Sequence, residues 1–178
     1  MHRTIVATIV ILTASVASAQ TPYAGMQTRA IKALSDQQVA DLGAGRGMGL
    51  AMAAELNGYP GPSHVLELAD KLELTPDQRK RIKAMFDAMK AEAVPVGERL
   101  IEQETKLDRL FADREITPST LGAVTEEIGM TQGRLRQTHL KYHLAMMDVL
   151  SPAQLERYRE LRGYGMKANQ LHHPRSQH

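Results

Sequence analysis

Two long stretches of helical periodicity, separated by one short turn, constrain the fold of this chain more than any other feature. Apolar residues recur at steps of four and three in the first stretch, at positions 82, 86, 89, 93, 96, 100, 107 and 110, and the one polar residue in this series is Gln103. The second stretch carries a matching stripe, at positions 121, 124, 128, 135, 142, 145 and 149. Such spacing predicts two amphipathic helices, and residues 113–118 between them predict a turn. Helices joined in this way form an antiparallel hairpin, and no strand-like alternation accompanies them, so the predicted fold class is all-α.

Short helices are expected on both sides of this long hairpin. Residues 35–57 show brief helical patterns, which are interrupted by four glycines between positions 43 and 49. A helix over about residues 63–72 precedes the hairpin. A last helix over about residues 152–162 follows it and ends at Gly163.

The N-terminus has the three parts of a secretory signal peptide. His2 and Arg3 give a positive start, an apolar run follows, and Ala17-Ser18-Ala19 is a small-residue cleavage site. Cleavage after Ala19 would release the chain into the periplasm. The chain therefore divides into a signal peptide (1–19), an N-terminal region of flexible chain and short helices (20–62), a helical domain (63–163) and a disordered tail (164–178).

Composition excludes several classes of function. The chain has 178 residues, with 22 Lys and Arg against 20 Asp and Glu, and this balance argues against a nucleic-acid partner. It has no Cys, which excludes thiolate metal sites, disulfides and a cysteine nucleophile. The glycine-rich stretch follows no strand, so it does not fit a phosphate-binding loop. No paired carboxylates or nucleophile motif stand out, and we expect a protein that is not an enzyme.

The hairpin is too thin to enclose its own apolar seam, and this predicts a homodimer. Only seven aromatic residues are available to widen the core. Residues 76–93 and 134–150, at the open end, carry eight Lys and Arg against four Asp and Glu, whereas residues 98–115 and 117–133, at the turn end, carry four against eight. We expect two copies to pack antiparallel, with the basic end of one over the acidic end of the other.

A five-residue motif of the form Leu-Ser/Thr-x-x-Gln occurs three times. It stands at residues 74–78 and 150–154, flanking the hairpin, and again at residues 34–38. The Ser or Thr is a helix N-cap, and the Gln three residues later can bond back to the backbone of the cap. Ordinary composition predicts about 0.1 matches in a chain of this length, so three copies are no coincidence. The motif residues that flank the hairpin are Leu74, Thr75, Gln78, Leu150, Ser151 and Gln154.

An exported helical chain with this motif before and after a long hairpin resembles the Spy/CpxP family. That family includes periplasmic stress chaperones and related heavy-metal resistance and sensor proteins. The resemblance covers about residues 63–163 and implies an intertwined, cradle-shaped antiparallel homodimer. It also implies an envelope-stress protein that binds unfolded or misfolded envelope proteins without ATP, and it leaves a membrane sensor protein open as a further partner.

Flexible methionines beside positive charges suit loose binding of unfolded clients. The candidate client-binding residues are Met85, Met89, Arg134, Arg136, Lys141 and Met146. The alternative for the methionines is ordinary filling of the core.

A metal site is the alternative function. His139 and His143 lie four residues apart on one side of a helix, with Met147 four residues further on. His139 borders the apolar seam, while His143 and Met147 lie further out on its flank. Imidazole with thioether suits copper, and imidazole with carboxylate suits zinc or nickel. The chain requires no cofactor, and a divalent or copper ion stays open.

The metal-sensor branch of the family implies further ligands. It uses the helix before the first motif, a carboxylate near the start of the long helix, and a His-x-x-x-Met pair before the second motif. In this chain His64 lies close to the ligand position before the first motif, and Glu67 or Asp87 could supply the carboxylate oxygen. His143 and Met147 match the His-x-x-x-Met pair. A second His after His64 is missing.

Overall fold

The computed structural model describes residues 23–164, which fold into six α-helices and contain no strand. The helices are α1 (Asp36–Gly43), α2 (Met52–Glu55), α3 (Pro62–Glu67), α4 (Pro76–Ala112), α5 (Pro118–Met146) and α6 (Pro152–Arg162), and a 3-10 turn spans Met26–Thr28. The all-α fold class is therefore confirmed. None of the helices in this part of the chain has the length and apolar character needed to cross a membrane.

The long hairpin is formed by α4 and α5, as the two periodic stretches predict. α4 ends at Ala112 and α5 begins at Pro118, so the turn lies where the sequence places it. Two separate clusters of buried residues hold the pair together. The cluster toward the turn is built on Leu42, Ala93, Leu100, Val124, Ile128 and Leu135. The cluster at the open end is built on Val65, Ala69, Leu72, Leu74, Ile82, Met146, Leu150 and Tyr158.

α1 crosses the middle of α4 at very close range. A Cβ atom added at Gly97 of α4 would lie 2.4 Å from the carbonyl oxygen of Leu42, so only glycine allows this approach. Leu42 itself is 2% exposed. The region before residue 63 is therefore packed onto the hairpin, at least from α1 onward.

The helix expected over residues 63–72 is regular only over Pro62–Glu67. The chain continues in turns to Leu72 and then closes with Glu73 in the left-handed region, at φ 50°. The N–H of Leu74 donates to the carbonyl of Ala69 at 3.0 Å, which is the long bond of a Schellman-type helix end. The regular helix therefore ends five residues before the expected end at Leu72.

α6 spans Pro152–Arg162 and ends at Gly163, which has φ 73°, as predicted. The signal peptide over residues 1–19 lies outside the described residues, and so does the tail from residue 165. The domain boundary between residues 62 and 63 stays a prediction, and so does the homodimer.

Candidate functional site

Each copy of the motif forms a capping box. In the copy before α4, the Thr75 hydroxyl accepts from the N–H of Gln78 at 3.2 Å, and the Gln78 side-chain oxygen accepts from the N–H of Thr75 at 3.0 Å. Ser151 and Gln154 repeat both bonds before α6. Ser35 and Gln38 do the same before α1, so the predicted local role of the motif is confirmed.

The two motifs that flank the hairpin also bind each other. The side-chain amide of Gln78 donates to the side-chain oxygen of Gln154 at 2.8 Å and to the carbonyl of Val149 at 2.9 Å. In return, the amide of Gln154 donates to Gln78 at 3.0 Å and to the carbonyl of Leu72 at 3.2 Å. We call this pair the glutamine clasp. It ties the start of α4 to the start of α6 and closes the open end of the hairpin.

Histidines interrupt the apolar seam between the two core clusters. His139 and His143 of α5 stand between Leu135 of one cluster and Met146 of the other. They are 2% and 7% exposed, respectively. The expectation that His143 lies out on the flank is therefore wrong, because residues before α3 fold over that side of α5.

Close backbone packing against the imidazoles explains two of the glycines. A Cβ atom at Gly61 would come within 2.9 Å of the ring of His143, and one at Gly47 within 3.5 Å of Nδ1 of His139. The glycine-rich stretch thus packs against the ring of His139 through Gly47, while Gly61, which follows α2, packs against the ring of His143.

A pocket of about 210 Å³ opens beside these rings. We call it the histidine pocket. Its nitrogen donors come from His64, His139 and His143, its thioethers from Met48, Met52 and Met89, and its carboxylate from Glu55. Glu55, Met48 and Met52 were missed by the sequence reasoning, since nothing local distinguishes them.

Glu55 is the buried carboxylate of the pocket, at 7% exposed. Its Oε2 accepts from the N–H of Gly61 at 3.1 Å, and its Oε1 accepts from the hydroxyl of Tyr158. Nδ1 of His64 lies 3.4 Å from Oε1, and Nδ1 of His143 lies 3.8 Å from Oε2. Burial alone would raise the pKa of Glu55, but His64, Tyr158 and Gly61 together hold it below its ordinary value.

The protonation of the two α5 histidines can be inferred from their contacts. Nδ1 of His143 lies 2.7 Å from the carbonyl of Tyr59, and because a carbonyl only accepts, this nitrogen carries the proton. The lone pair of a neutral His143 is then on Nε2. Burial, with His143 nearby, lowers the pKa of His139 and favours its neutral form. Both rings are therefore suited to bind a metal ion.

One nitrogen of these rings, Nε2 of His139, is buried without a hydrogen-bond partner in the described part of the chain. Unpaired buried polar atoms are uncommon, and each calls for an explanation such as an ion. The donors present, imidazole and thioether, fit a heavy-metal ion. Within residues 23–164, however, no group of three or more His, Asp or Glu side chains is placed to hold one ion among them.

Three of the residues suggested by the resemblance lie away from the pocket lining. Glu67 is exposed on α3, and Asp87 is exposed and paired with Lys83 at 2.6 Å. Met147 is the C-cap of α5. The structure thus brings together His64, His139 and His143 but not these three.

The candidate client-binding residues separate into buried and exposed sets. Met146 and Met89 are 0% and 7% exposed and contribute to the interior, and Met85 packs partly buried against the open-end cluster. Arg134, Arg136 and Lys141 are exposed, and Lys141 pairs with Glu92.

A larger cavity of about 660 Å³ lies between α1, α4 and α5, and we call it the apolar groove. Five of its twelve lining residues are leucines, and Arg136 is also part of the lining. Its apolar residues are Leu34, Leu42, Met48, Leu50, Leu100 and Leu135.

Comparison with known proteins gives one match. A protein-family model described as heavy-metal resistance matches residues 5–157, which is most of the chain. No curated protein and no solved structure gives a significant match.

Proposed function

The chain belongs to the heavy-metal resistance family, the Spy/CpxP-like family of the Leu-Ser/Thr-x-x-Gln motif, and on this premise we propose that it binds a heavy-metal ion in the histidine pocket. The observation that carries the proposal is the buried Nε2 of His139, which has no hydrogen-bond partner in the described part of the chain and belongs to a residue that lines the cavity. Leaving such an atom unpaired costs about 1–3 kcal/mol, and a bound metal ion would give it a partner.

The surroundings of the histidines support this role. Tyr59 holds Nδ1 of His143 through its carbonyl, and this kind of contact orients a ligating imidazole in known metal sites. Glu55 places a negative charge close to His64 and His143, which offsets the charge of an incoming cation. The pocket therefore combines imidazole nitrogens with a nearby carboxylate.

The proposed role is resistance by sequestration or sensing of metal in the periplasm. Export rests on the predicted signal peptide, and a non-enzymatic role rests on the lack of a catalytic motif in the sequence. No cofactor besides the ion is part of the proposal.

Calorimetric titration of residues 20–178 with Zn²⁺, Ni²⁺, Cu²⁺ and Ag⁺ tests the proposal. We expect at least one ion to bind the chain at a single site, and the double substitution His139→Asn/His143→Asn to abolish this binding. The matched control replaces the tail histidines 172, 173 and 178 with Asn, since a tail can chelate weakly without a fixed site. Circular dichroism checks that each variant is folded. Binding that survives in the pocket variant, or disappears in the tail variant, would overturn the proposal.

The apolar groove favours a second candidate function, the binding of unfolded clients. Its leucine lining and the exposed guanidinium of Arg136 offer apolar contact with a positive charge alongside, which suits loose binding of unfolded chains. The client-binding proposal keeps Arg134, Arg136 and Lys141 as surface contacts.

Suppression of aggregation of several unrelated unfolded clients tests this second function. We expect Leu50→Gln in the groove to weaken the suppression, whereas Leu144→Gln, an exposed leucine outside the groove lining, should have no effect. Equal activity of the two variants, or no suppression by the unmodified chain, would contradict client binding in the groove.

A further inference from the structure

Two exposed methionines stand at the histidine pocket. Met48 is 42% exposed and Met52 is 58% exposed, yet both line the same cavity as the buried His139. Met89, at 7% exposed, lines it from α4. Three methionines thus line the same cavity as His139, whose Nε2 has no hydrogen-bond partner among residues 23–164.

The backbone that carries Met48 has an unusual conformation. Met48 has φ 43°, in the left-handed region that side chains rarely adopt, between Gly45 at 64° and Gly49 at 81°. Strained residues of this kind cluster at ligand sites, where other contacts hold them in place. Sδ of Met52 lies 3.3 Å from where a Cβ of Gly49 would be, so this thioether packs directly over the strained segment.

We propose that the histidine pocket selects a soft monovalent ion, Cu⁺ or Ag⁺, and that Met48 and Met52 bind it together with His139. Thioether sulfur is a soft ligand that favours such ions, whereas Zn²⁺ and Ni²⁺ favour imidazole and carboxylate. This inference rests on the proposed metal function and adds the class of ion to it. It also gives a role to the glycine-rich segment and the start of α2, which would carry Met48 and Met52, respectively, to the histidines of α5.

Titration with Ag⁺, which is stable against oxidation, tests the selectivity in chloride-free buffer. We expect the double substitution Met48→Leu/Met52→Leu to weaken Ag⁺ binding by about tenfold or more, because changes to residues that only contact the ligands already have effects of this size. Binding of divalent ions should be unchanged. Leucine keeps the size of methionine and removes only the sulfur. Met130→Leu is the matched control, because Met130 is 63% exposed on α5 and outside the pocket.

Methyl NMR of the methionines gives a second readout that does not depend on affinity. The methyl signals of Met48 and Met52 should shift when Ag⁺ is added, and that of Met130 should not. If the histidines bind a divalent ion while Ag⁺ affinity is the same in the Met48→Leu/Met52→Leu variant, the inference is overturned and the proposed function stands. If His139→Asn/His143→Asn also binds every ion normally, both are overturned.

Discussion

At the scale of single residues, Glu55 links segments that are far apart in the chain. Its carboxylate contacts Gly61, His64, His143 and, 103 residues away, Tyr158. A buried carboxylate is tolerated only when its charge is paired or hydrogen-bonded, and these contacts meet that condition. The hydroxyl of Tyr158, a residue 1% exposed, is thus a main support for Glu55.

Tyr158→Phe tests this support. Removing the hydroxyl leaves Oε1 of Glu55 buried without its hydroxyl donor, and we expect the free energy of unfolding to fall by about 1–3 kcal/mol. Tyr142→Phe is the matched control, because Tyr142 also donates to a glutamate, Glu92, but at the surface. Urea unfolding measures both variants. A loss for Tyr142→Phe as large as that for Tyr158→Phe would contradict the role of burial.

Glu104 is a second buried carboxylate, and it is without a hydrogen bond or ion pair in the described part of the chain. It is 9% exposed, and burial raises its pKa above the ordinary value of 4.5. Glu104 lines a cavity of about 460 Å³ together with Lys32 and Asp108, but these two residues pair with each other at 3.1 Å. The folded chain therefore binds this proton more tightly than the unfolded chain does.

The sign of the pH dependence follows from linkage. Protonated Glu104 makes its full contribution to the free energy of unfolding below pH 4.5. This contribution is lost as the pH rises through the folded pKa, because the unfolded chain releases the proton at a lower pH than the folded chain does. We expect Glu104→Gln to stabilise the chain at neutral pH and to have little effect at acid pH, as measured by urea unfolding at both values. Glu102→Gln, at an exposed position of the same helix, should not change how the free energy of unfolding depends on pH. A stabilisation by Glu104→Gln that is equal at both pH values would rule out this assignment.

At the scale of helices, three copies of one motif behave alike locally and differently in the tertiary structure. All three form capping boxes, which depend only on residues three apart. Only Gln78 and Gln154 meet each other in the glutamine clasp. Gln38 makes the same local bonds but pairs with no second glutamine among residues 23–164, so it serves as an internal control.

A double-mutant cycle on Gln78→Ala and Gln154→Ala measures the clasp. We expect each single variant to lose more stability than Gln38→Ala, which loses only a cap contribution of about 1 kcal/mol. The coupling energy of the pair should lie between about 0.5 and 3 kcal/mol, since the two side chains share hydrogen bonds. Additive losses would show that the two caps act independently.

The sequence predicts the helices well because their signals are local. The periodicity of α4 and α5, the turn at residues 113–118 and the start of each capped helix all depend on residues within one or two turns. The helix expected over residues 63–72 is regular only to Glu67, and the turns that follow it close at Glu73, a left-handed residue that is not the usual glycine. A rule based on residue type could not find that position.

At the scale of the whole molecule, the site depends on contacts that no local rule contains. His139 and His143 could be proposed from their spacing, and His64 from a family resemblance. Glu55, Met48 and Met52 reach the pocket only because the segment before α3 folds back over α5. The same folding buries His143, which the helical wheel alone placed on an open flank.

The charge distribution of the hairpin favours an antiparallel homodimer. The open end carries eight Lys and Arg against four Asp and Glu, and the turn end carries four against eight. Exposed apolar side chains add to this surface, with Phe111 at 55% and Leu121 at 39% near the turn. Two antiparallel copies would place opposite charges together and cover both apolar residues, which one copy alone leaves in water.

Sedimentation equilibrium at micromolar concentration should therefore give twice the mass of the chain. We expect Glu126→Lys/Glu127→Lys at the turn end to weaken the dimer, because it removes the charge complementarity between the ends. The control is Glu156→Lys/Glu160→Lys on α6, which makes the same change of charge outside the hairpin. High salt should weaken the unmodified dimer as well, since it screens exposed charges over about 10 Å at 0.1 M and less above that. A chain that sediments as a monomer at low salt would contradict the antiparallel pairing, and so would equal weakening by the two double variants.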